Sequence, residues 1–257
     1  MDTQQQKQYN LLIIGDACTD VYVFGSCNRL SPEAPVPIFK KIKKEYRDGM
    51  AANVYQNISQ ILDANIDFLS NDKHKIKKIR FVDQKSNQQI MRYDIEKLNT
   101  ACNQNNLPNK TYDAIIISDY DKGFVDRALP QIIRKKYNCP IFVDSKKRDL
   151  ALYKGCIVKI NEKENQIAKN IDGVDVIVTL GSRGAQRGNK IYKTDNVKVH
   201  DVCGAGDVFL SALVARWLET KKMDESIKVA NRCATFSVTQ MGTYYLTKQM
   251  YTKLRDK

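Results

Sequence analysis

Asp201-Val-Cys-Gly-Ala-Gly-Asp-Val-Phe-Leu210 places three small residues and an acid directly before a run of apolar side chains. The segment Val208–Leu218 predicts a buried helix. Small residues at a helix start leave backbone N–H groups open to an anion, and the helix dipole adds partial positive charge there. Asp207 would then be a base that takes a proton from a hydroxyl while the amides stabilise a transferring phosphoryl group. The alternative is an ordinary helix start in which Asp207 only matches the dipole.

Length and composition bound the class of protein. The chain has 257 residues, of which 42% are hydrophobic, and this predicts one large domain over residues 1–257. No run approaches the roughly 18 to 20 apolar residues of a membrane helix, and the polar stretch 1–9 predicts no secretory signal. Seven cysteines without a Cys-x-x-Cys pair, and only two histidines, argue against a zinc cluster. Reduced thiols in a cytoplasmic protein are expected.

The net charge of +13 raises the question of a nucleic-acid partner. The lysines are spread along the chain and bunch only at Lys40–Lys44 and Lys73–Lys78. Aromatic residues do not alternate with them as in RNA- or DNA-binding motifs. We therefore expect a generally basic surface suited to anionic substrates, and no nucleic-acid or membrane partner.

Short continuous apolar runs predict buried parallel strands. Helical segments lie between several of them, at Ala51–Leu62, Val125–Lys136 and Glu162–Lys169. Strands that alternate with helices indicate an α/β fold with right-handed crossovers. The runs are Leu11–Ile14, Ala114–Ile117, Ile141–Val143, Ile157–Ile160 and Val176–Val178.

Each of these runs is followed by polar residues. In open α/β sheets, ligands bind outside the carboxyl ends of the strands. Any one such residue can be a helix cap or a turn former, but five in succession indicate a shared crevice. The residues are Asp16, Asp119, Asp144, Asn161 and Thr179.

Two segments depart from the α/β rhythm and predict a small β-sheet lid over the crevice. Segment Val21–Lys44 carries Pro32, Pro35 and Pro37, so it cannot form an uninterrupted helix and is expected to be extended. Segment Lys77–Ile95 reads as a hairpin.

The Asp201–Asp207 stretch resembles the signature of the ribokinase (PfkB-type) carbohydrate kinases, with Cys203 at a tolerant position. Further motifs resemble a narrower group, the D-glycero-β-D-manno-heptose 7-phosphate kinases of ADP-heptose biosynthesis. The resemblance spans about residues 10 to 245. These motifs are Gly15–Asp20, Arg29–Pro37, Ala51–Val54, Asn87–Arg92 and Ser118–Gly123.

The resemblance implies a three-layer α/β/α sandwich with a mainly parallel central sheet and a small β-sheet lid. It also implies ATP-dependent phosphorylation of a sugar hydroxyl. Asp207 would be the general base, and the amides of Gly204, Ala205 and Gly206 would stabilise the γ-phosphoryl group. Glu164 would help to organise Mg²⁺ through water; alternatively it lies on the solvated face of a helix.

The resemblance also implies a nucleotide site. Thr179, Gly181 and Gly184 would lie along the phosphates, although a Gly-x-x-Gly turn is weak evidence by itself. Asn161 begins an Asn-x-x-Glu element that belongs to the same site. Asn231 would lie near the adenine, or it is simply a polar helix position.

For the sugar, Asp16 and Asp20 would accept hydrogen bonds from hydroxyls, and Asn53 would add a donor and an acceptor. Gly49 would lie beside them. Here Met50 follows Gly49 where the family has a second glycine, and its bulk would change substrate choice.

Arg80 and Arg92, on the lid hairpin, are candidates for gripping a 7-phosphate. The alternative is a pair of exposed strand arginines. Lys146, two residues after Asp144, matches a family Asp-Pro-Lys segment with Ser145 in place of Pro. It is expected near phosphate, with a surface lysine as the alternative.

Two stretches are shorter than in the family: Ala64–Lys78, and Glu164–Val174, which is expected to lack a helix. The chain is also expected to have no adenylyltransferase domain, because neither His74 nor His200 belongs to a His-x-Gly-His motif.

The leading interpretation is an ATP- and Mg²⁺-dependent kinase for the 1-hydroxyl of D-glycero-β-D-manno-heptose 7-phosphate, forming a homodimer through its lid. The alternatives are a kinase for another sugar or sugar phosphate, a non-catalytic sugar- or nucleotide-binding relative and, least favoured, a nucleic-acid-binding protein.

Overall fold

A computed structural model describes residues 8–257 of the chain. Most of the polar stretch 1–9, where no secretory signal is expected, lies outside the described residues. Within residues 8–257, none of the helices combines the length and the apolar character needed to cross a bilayer. The strands of this part of the chain form two sheets.

The larger sheet contains all five predicted apolar strands as parallel neighbours. Six of the eight described strands in this sheet run parallel to one another. The other two, Ala185–Arg187 and Lys190–Tyr192, extend one edge in the antiparallel direction. The short stretch Ala64–Lys78 still supplies a strand at one edge of the sheet, Ala64–Ser70. In spatial order the strands are β12 (Lys190–Tyr192), β11 (Ala185–Arg187), β10 (Asp175–Thr179), β9 (Ile157–Asn161), β8 (Ile141–Ser145), β7 (Ala114–Asp119), β1 (Tyr9–Gly15) and β4 (Ala64–Ser70).

Both faces of this sheet are covered, as its continuous apolar strands predict. On β1, Leu11 and Ile13 pack in one core with helices α1, α4, α5 and α6, whereas Leu12 and Ile14 pack in a second core with α2. The α/β/α sandwich is thus confirmed. The helices are α1 (Ala51–Ile61), α2 (Leu129–Lys136), α3 (Glu162–Ile167), α4 (Ala205–Thr220), α5 (Met223–Ser237) and α6 (Lys248–Arg255).

Two predicted helix boundaries were wrong. Helix α2 starts at Leu129 rather than Val125, because the Asp126 carboxylate accepts the amides of Ala128 and Leu129 and holds a turn that ends at the N-cap residue, Ala128. Helix α3 stops before Lys169, whose amide instead donates to the Arg148 carbonyl. The expectation that Glu164–Val174 lacks a helix is wrong for residues 164–167, which belong to α3, and holds for residues 168–174.

The smaller sheet is built from the two segments predicted to be extended. Strands β2 and β3 are antiparallel, and β5 and β6 form the predicted hairpin, with β5 parallel to β2. Only Asp16 separates β1 from β2, so this sheet begins at the carboxyl end of the larger one. Its order is β3 (Pro37–Met50), β2 (Ala17–Leu30), β5 (Lys77–Asp83) and β6 (Gln89–Ile95).

Candidate active site

The N-cap position of helix α4 has a backbone conformation that favours glycine. Gly204 is the N-cap, with φ of 75°, and a Cβ there would lie 2.7 Å from Nδ2 of Asn53. The preceding turn is held by Asp201, whose carboxylate accepts the amides of Cys203 and Gly242. The start of the helix is therefore held by a fixed turn, as an anion site needs, although the Ala205 amide donates to the Val202 carbonyl at 3.3 Å within that turn.

Asp207, in the first turn of α4, is 3% exposed. Nδ2 of Asn53 donates to its Oδ2 at 2.7 Å, and the Tyr120 hydroxyl donates to its Oδ1 at 2.8 Å. Burial, and next the negative charge of Asp144, raise the pKa of Asp207 to about 6, against the opposing effect of its hydrogen bonds and of Lys159. A carboxylate in this state is charged at neutral pH and accepts a proton readily.

A cavity of about 660 Å³ lies along the first residues of α4. It brings together Gly204, Ala205, Gly206 and Lys146 with all five residues predicted for the nucleotide: Asn161, Thr179, Gly181, Gly184 and Asn231. The structure thus joins residues from β9, β10, α4 and α5 at one site.

Two glycines of the β10 turn have different constraints. Gly181 has φ of 61° with open space around a Cβ position, so its backbone faces the cavity freely. Gly184 has φ of 91°, and a Cβ there would be 2.0 Å from the Tyr192 carbonyl oxygen. Nδ2 of Asn231 donates to that same oxygen at 2.7 Å, which fixes α5 to this wall of the cavity.

Lys146, Lys159 and Asp144 line this cavity. Nζ of Lys159 donates to Oδ2 of Asp144 at 2.7 Å, and both side chains are buried. Lys146 pairs with Glu164, which also closes a capping box with Asn161. Although burial opposes it, the charges of Lys159 and Lys146 hold the pKa of Asp144 below its usual value.

The resemblance to the carbohydrate kinases implies a bound Mg²⁺, for which the site must offer oxygen ligands. In the part of the chain that the structure describes, no three His, Cys, Asp or Glu side chains converge on one metal position. However, Oδ1 of Asp144 is buried without a hydrogen-bond donor, Asp144 lines the cavity, and Lys146 forms ion pairs with both Asp144 and Glu164. One or two carboxylates with waters and phosphate oxygens are the usual ligands of Mg²⁺ beside a nucleotide, so these residues fit it.

The residues predicted for the sugar form a second group, under the smaller sheet. Oδ1 of Asp20 accepts a hydrogen bond from Arg80, and its Oδ2 accepts one from the Thr243 hydroxyl at 3.1 Å. A Cβ on Gly49 would lie 2.4 Å from Oδ2 of Asp20. Arg80 is 6% exposed and pairs with Asp20, so the alternative of an exposed strand arginine is wrong for this residue.

Three predicted positions lie in other surroundings. Asp16 is fully buried, and its carboxylate accepts the amides of Tyr120, Lys122 and Phe124 together with Nδ2 of Asn99. These four bonds use the lone pairs of both oxygens, so Asp16 holds the 120–124 turn.

Arg92 lies on β6, half exposed, and pairs with Asp94. The Asp119 carboxylate contacts Lys147 and Tyr153. The expectation of one crevice for five strand ends is therefore wrong for Asp16 and Asp119, because local donors take up both carboxylates. It holds for Asp144, Asn161 and Thr179, which line the cavity.

Three residues of the site were missed from sequence. Tyr120 lies in the Ser118–Gly123 motif, but nothing in that motif predicts a contact with Asp207. Lys159 interrupts an apolar strand, and a charge in a buried strand was a usable signal. Thr243 had no signal, because it reaches Asp20 from a loop 223 residues away.

The chain is similar to several known proteins. Residues 56–250 match the family model described as pfkB family carbohydrate kinase. The bifunctional protein HldE of Histophilus somni (strain 129Pt) is 30% identical over 300 residues, which cover 93% of this chain and 63% of that protein. This chain thus spans about three-fifths of the length of the curated relatives it matches.

Solved structures show the same ribokinase-like fold. Phosphofructokinase-2 from Escherichia coli in complex with potassium superposes with a TM-score of 0.75 at 15% identity, over 97% of this chain and 98% of that one. Arabidopsis thaliana ribokinase complexed with ribose and ATP gives 0.67 at 14% identity, over 98% and 100% of the two chains. The family match covers most of the chain, and the chain belongs to the pfkB family of carbohydrate kinases.

Proposed function

We propose that this carbohydrate kinase transfers the γ-phosphoryl group of ATP to the 1-hydroxyl of D-glycero-β-D-manno-heptose 7-phosphate. The observation that carries the proposal is the buried Asp207 carboxylate at the start of α4, beside the cavity that joins the α4 amides to the β10 turn. The motifs that resemble the heptose 7-phosphate kinases, together with the match to bifunctional protein HldE over 93% of the chain, support the choice of sugar.

In this proposal Asp207 takes the proton of the acceptor hydroxyl. Asn53 and Tyr120 each donate to one of its oxygens, which orients the carboxylate and leaves lone pairs for the incoming proton. The amides at Gly204–Gly206 stabilise the charge of the transferring group, and Lys146 and Lys159 add positive charge in the same cavity.

ATP would lie in the cavity, with its phosphates along Gly181–Gly184 and its base toward Asn231. Asp144 and Glu164 would hold Mg²⁺ through water. When bound, Mg²⁺ neutralises phosphate charge. The base would meet the apolar side chains that line the same cavity, Val197, Val199 and Val238.

The acceptor would lie between Asp207 and the smaller sheet. Asp20, Asn53 and the backbone at Gly49 would bind its hydroxyls. Arg80 and Arg92 face each other across β5 and β6, so their side chains share one face of the sheet. We propose them for the 7-phosphate, since a guanidinium has five donors and Asp20 does not exhaust those of Arg80.

A sugar panel tests the function. The protein is incubated with Mg·ATP and a series of sugars and sugar phosphates, ADP release is followed, and Asp207→Asn is the control. Turnover of heptose 7-phosphate alone, abolished in the variant, is the expected result. Turnover of another sugar selects the second candidate, a kinase of shifted specificity, which Met50 favours. If no sugar or sugar phosphate in the series causes ADP release, both candidates are contradicted and a non-catalytic binding protein remains.

We further propose a homodimer formed through the outer face of the smaller sheet. Tyr46, Val21, Ile79 and Tyr93 are direct cross-strand neighbours across all four strands and so share that face. Tyr46 is 64% and Tyr93 55% exposed, and Met91 extends the apolar surface. A second copy would cover the exposed side chains of Tyr46, Tyr93 and Met91.

The seven free cysteines support a cytoplasmic location, where thiols stay reduced.

A further inference from the structure

Met50 has a backbone conformation that side chains rarely adopt. Its φ is 58° and its ψ is −134°, a region populated almost only by glycine. It lies at the N-cap of α1 without a side-chain capping bond, and it is 3% exposed. A strained residue of this kind persists only where the surrounding contacts fix it.

The Met50 side chain belongs to a small apolar cluster apart from the two main cores. The cluster contains Met50, Cys18 and Ile76, and the ring of Tyr120 packs against it. These residues come from the end of β3, from β2, from the segment before β5 and from the turn after β7. The cluster thus joins the smaller sheet to the carboxyl ends of the larger sheet.

Tyr120 is the member of this group that reaches the active site. Its hydroxyl donates to Oδ1 of Asp207 at 2.8 Å, and the residue lines the cavity. Nζ of Lys78, from β5, lies 5.3 Å from the ring centroid, and Nζ of Lys146 lies 5.2 Å from it. A ring held by apolar packing and by two ammonium groups keeps its hydroxyl in one place.

We propose that Met50 is a positioning residue for Asp207, which acts by packing the Tyr120 ring so that its hydroxyl stays on the Asp207 carboxylate. This role of Met50 extends the proposed function, since it concerns Asp207 as the base. It does not depend on which sugar is the acceptor. Removal of the Met50 side chain leaves a gap in the cluster, and the hydroxyl then leaves its acceptor for part of the time.

The titration of Asp207 reports on this contact. A hydrogen bond from Tyr120 favours the charged carboxylate, so its loss raises the pKa. The other ionisable groups that face Asp207 are unchanged in the variants below. They are Asp144, Lys159, Lys146 and Cys18.

The experiment is a double-mutant cycle of Met50→Gly and Tyr120→Phe. The Asp207 carboxyl is titrated in the free enzyme by ¹³C NMR, with Asp207→Asn to assign its signal, so the result does not require a sugar substrate. Tyr120→Phe is expected to raise the pKa by about one unit. Met50→Gly is expected to raise it by less, and the double variant to match Tyr120→Phe alone. With any acceptor that turns over, kcat falls while KM for ATP stays the same.

Two controls separate positioning from general damage. Met50→Leu keeps the volume and should keep the titration of the natural protein. Tyr153→Phe removes another buried tyrosine hydroxyl, which donates to Asp119 rather than to Asp207, and should lower Tm without moving the Asp207 titration. The proposal is overturned if Met50→Gly fails to raise the pKa in a protein that melts cooperatively, or if its shift adds fully to that of Tyr120→Phe.

Discussion

Asn53 and Asp207 lie 154 residues apart and meet through a hydrogen bond of 2.7 Å between Nδ2 and Oδ2. This bond joins the first turns of α1 and α4. The Asn53 amide is itself oriented, because Nδ2 of Asn57 donates to its Oδ1 and the Leu246 amide donates to Oδ1 of Asn57. The Asp207 carboxylate therefore sits at the end of a buried chain of amides whose donor and acceptor directions are fixed.

The Asp207→Asn variant is expected to be inactive and yet more stable than the natural protein at neutral pH. The folded pKa of about 6 lies above the reference value of 3.8, so the folded state binds more protons between these values. The contribution of Asp207 to stability therefore falls as pH rises through that window. The variant lacks this dependence. Its advantage in unfolding free energy over the natural protein should therefore grow by up to about 3 kcal/mol from pH 4 to pH 7.

Urea unfolding of both proteins at pH 4, 5, 6 and 7 measures that difference. An advantage of the variant that stays constant over this range would mean that Asp207 has an ordinary pKa. The same property predicts that kcat/KM of the natural enzyme rises with pH through about 6, because only the charged carboxylate accepts the proton.

Gly204→Ala is expected to lower activity at least about 100-fold and stability by about 1–3 kcal/mol. The added Cβ is forced into a φ of 75° and into the Asn53 amide, so both the helix start and the base are displaced. Gly188→Ala is the matched control, since its φ of 56° carries similar strain but a Cβ there meets nothing within 4 Å. Equal losses of activity in the two variants would contradict a specific role for the Gly204 contact.

Lys159→Met is expected to destabilise the protein by about 3–5 kcal/mol, because it leaves the buried Asp144 carboxylate without its main partner. Adding Asp144→Asn should recover much of this loss, since no buried charge then remains unpaired. Chemical denaturation of the two single variants and the double variant measures the coupling. Additive losses would show that the pair does not act as a unit.

Replacement of the two lid arginines by methionine should have different effects. Arg80→Met breaks a buried pair with Asp20 and should lower both stability and turnover. Arg92→Met removes a half-exposed side chain and should leave Tm nearly unchanged. If Arg92 binds the sugar phosphate, its variant raises KM for the phosphorylated acceptor about tenfold or more and leaves KM for ATP alone. An unchanged KM for the acceptor removes Arg92 from the site.

Tyr46→Glu is expected to convert the proposed homodimer into monomers, because it replaces an exposed aromatic side chain of the apolar face with a charge. Ile191→Glu, at a side chain of similar exposure on β12, is the control and should not change the mass. Sedimentation equilibrium distinguishes the outcomes. A natural protein that is already monomeric at high concentration contradicts the proposed interface.

Local patterns were sufficient for most of the fold. Continuous apolar runs identified the parallel strands, because a strand buried on both faces has no polar alternation. Prolines excluded a helix over Val21–Lys44, a hairpin pattern identified Lys77–Ile95, and the small residues before Asp207 identified the start of α4. Several residues that line the cavity were found because they follow those strands or begin that helix, whereas Asn231, within α5, was identified only through the family resemblance.

Only the tertiary structure decided which donor each buried charge received. The pairing of Arg80 with Asp20, the contact of Tyr120 with Asp207 and the use of Asp16 to hold a turn all join residues 60 or more positions apart. A periodic pattern reports how deeply a residue is buried within its own element. It carries no information on the partner that another element brings, and in a buried site that partner determines the charge and the pKa.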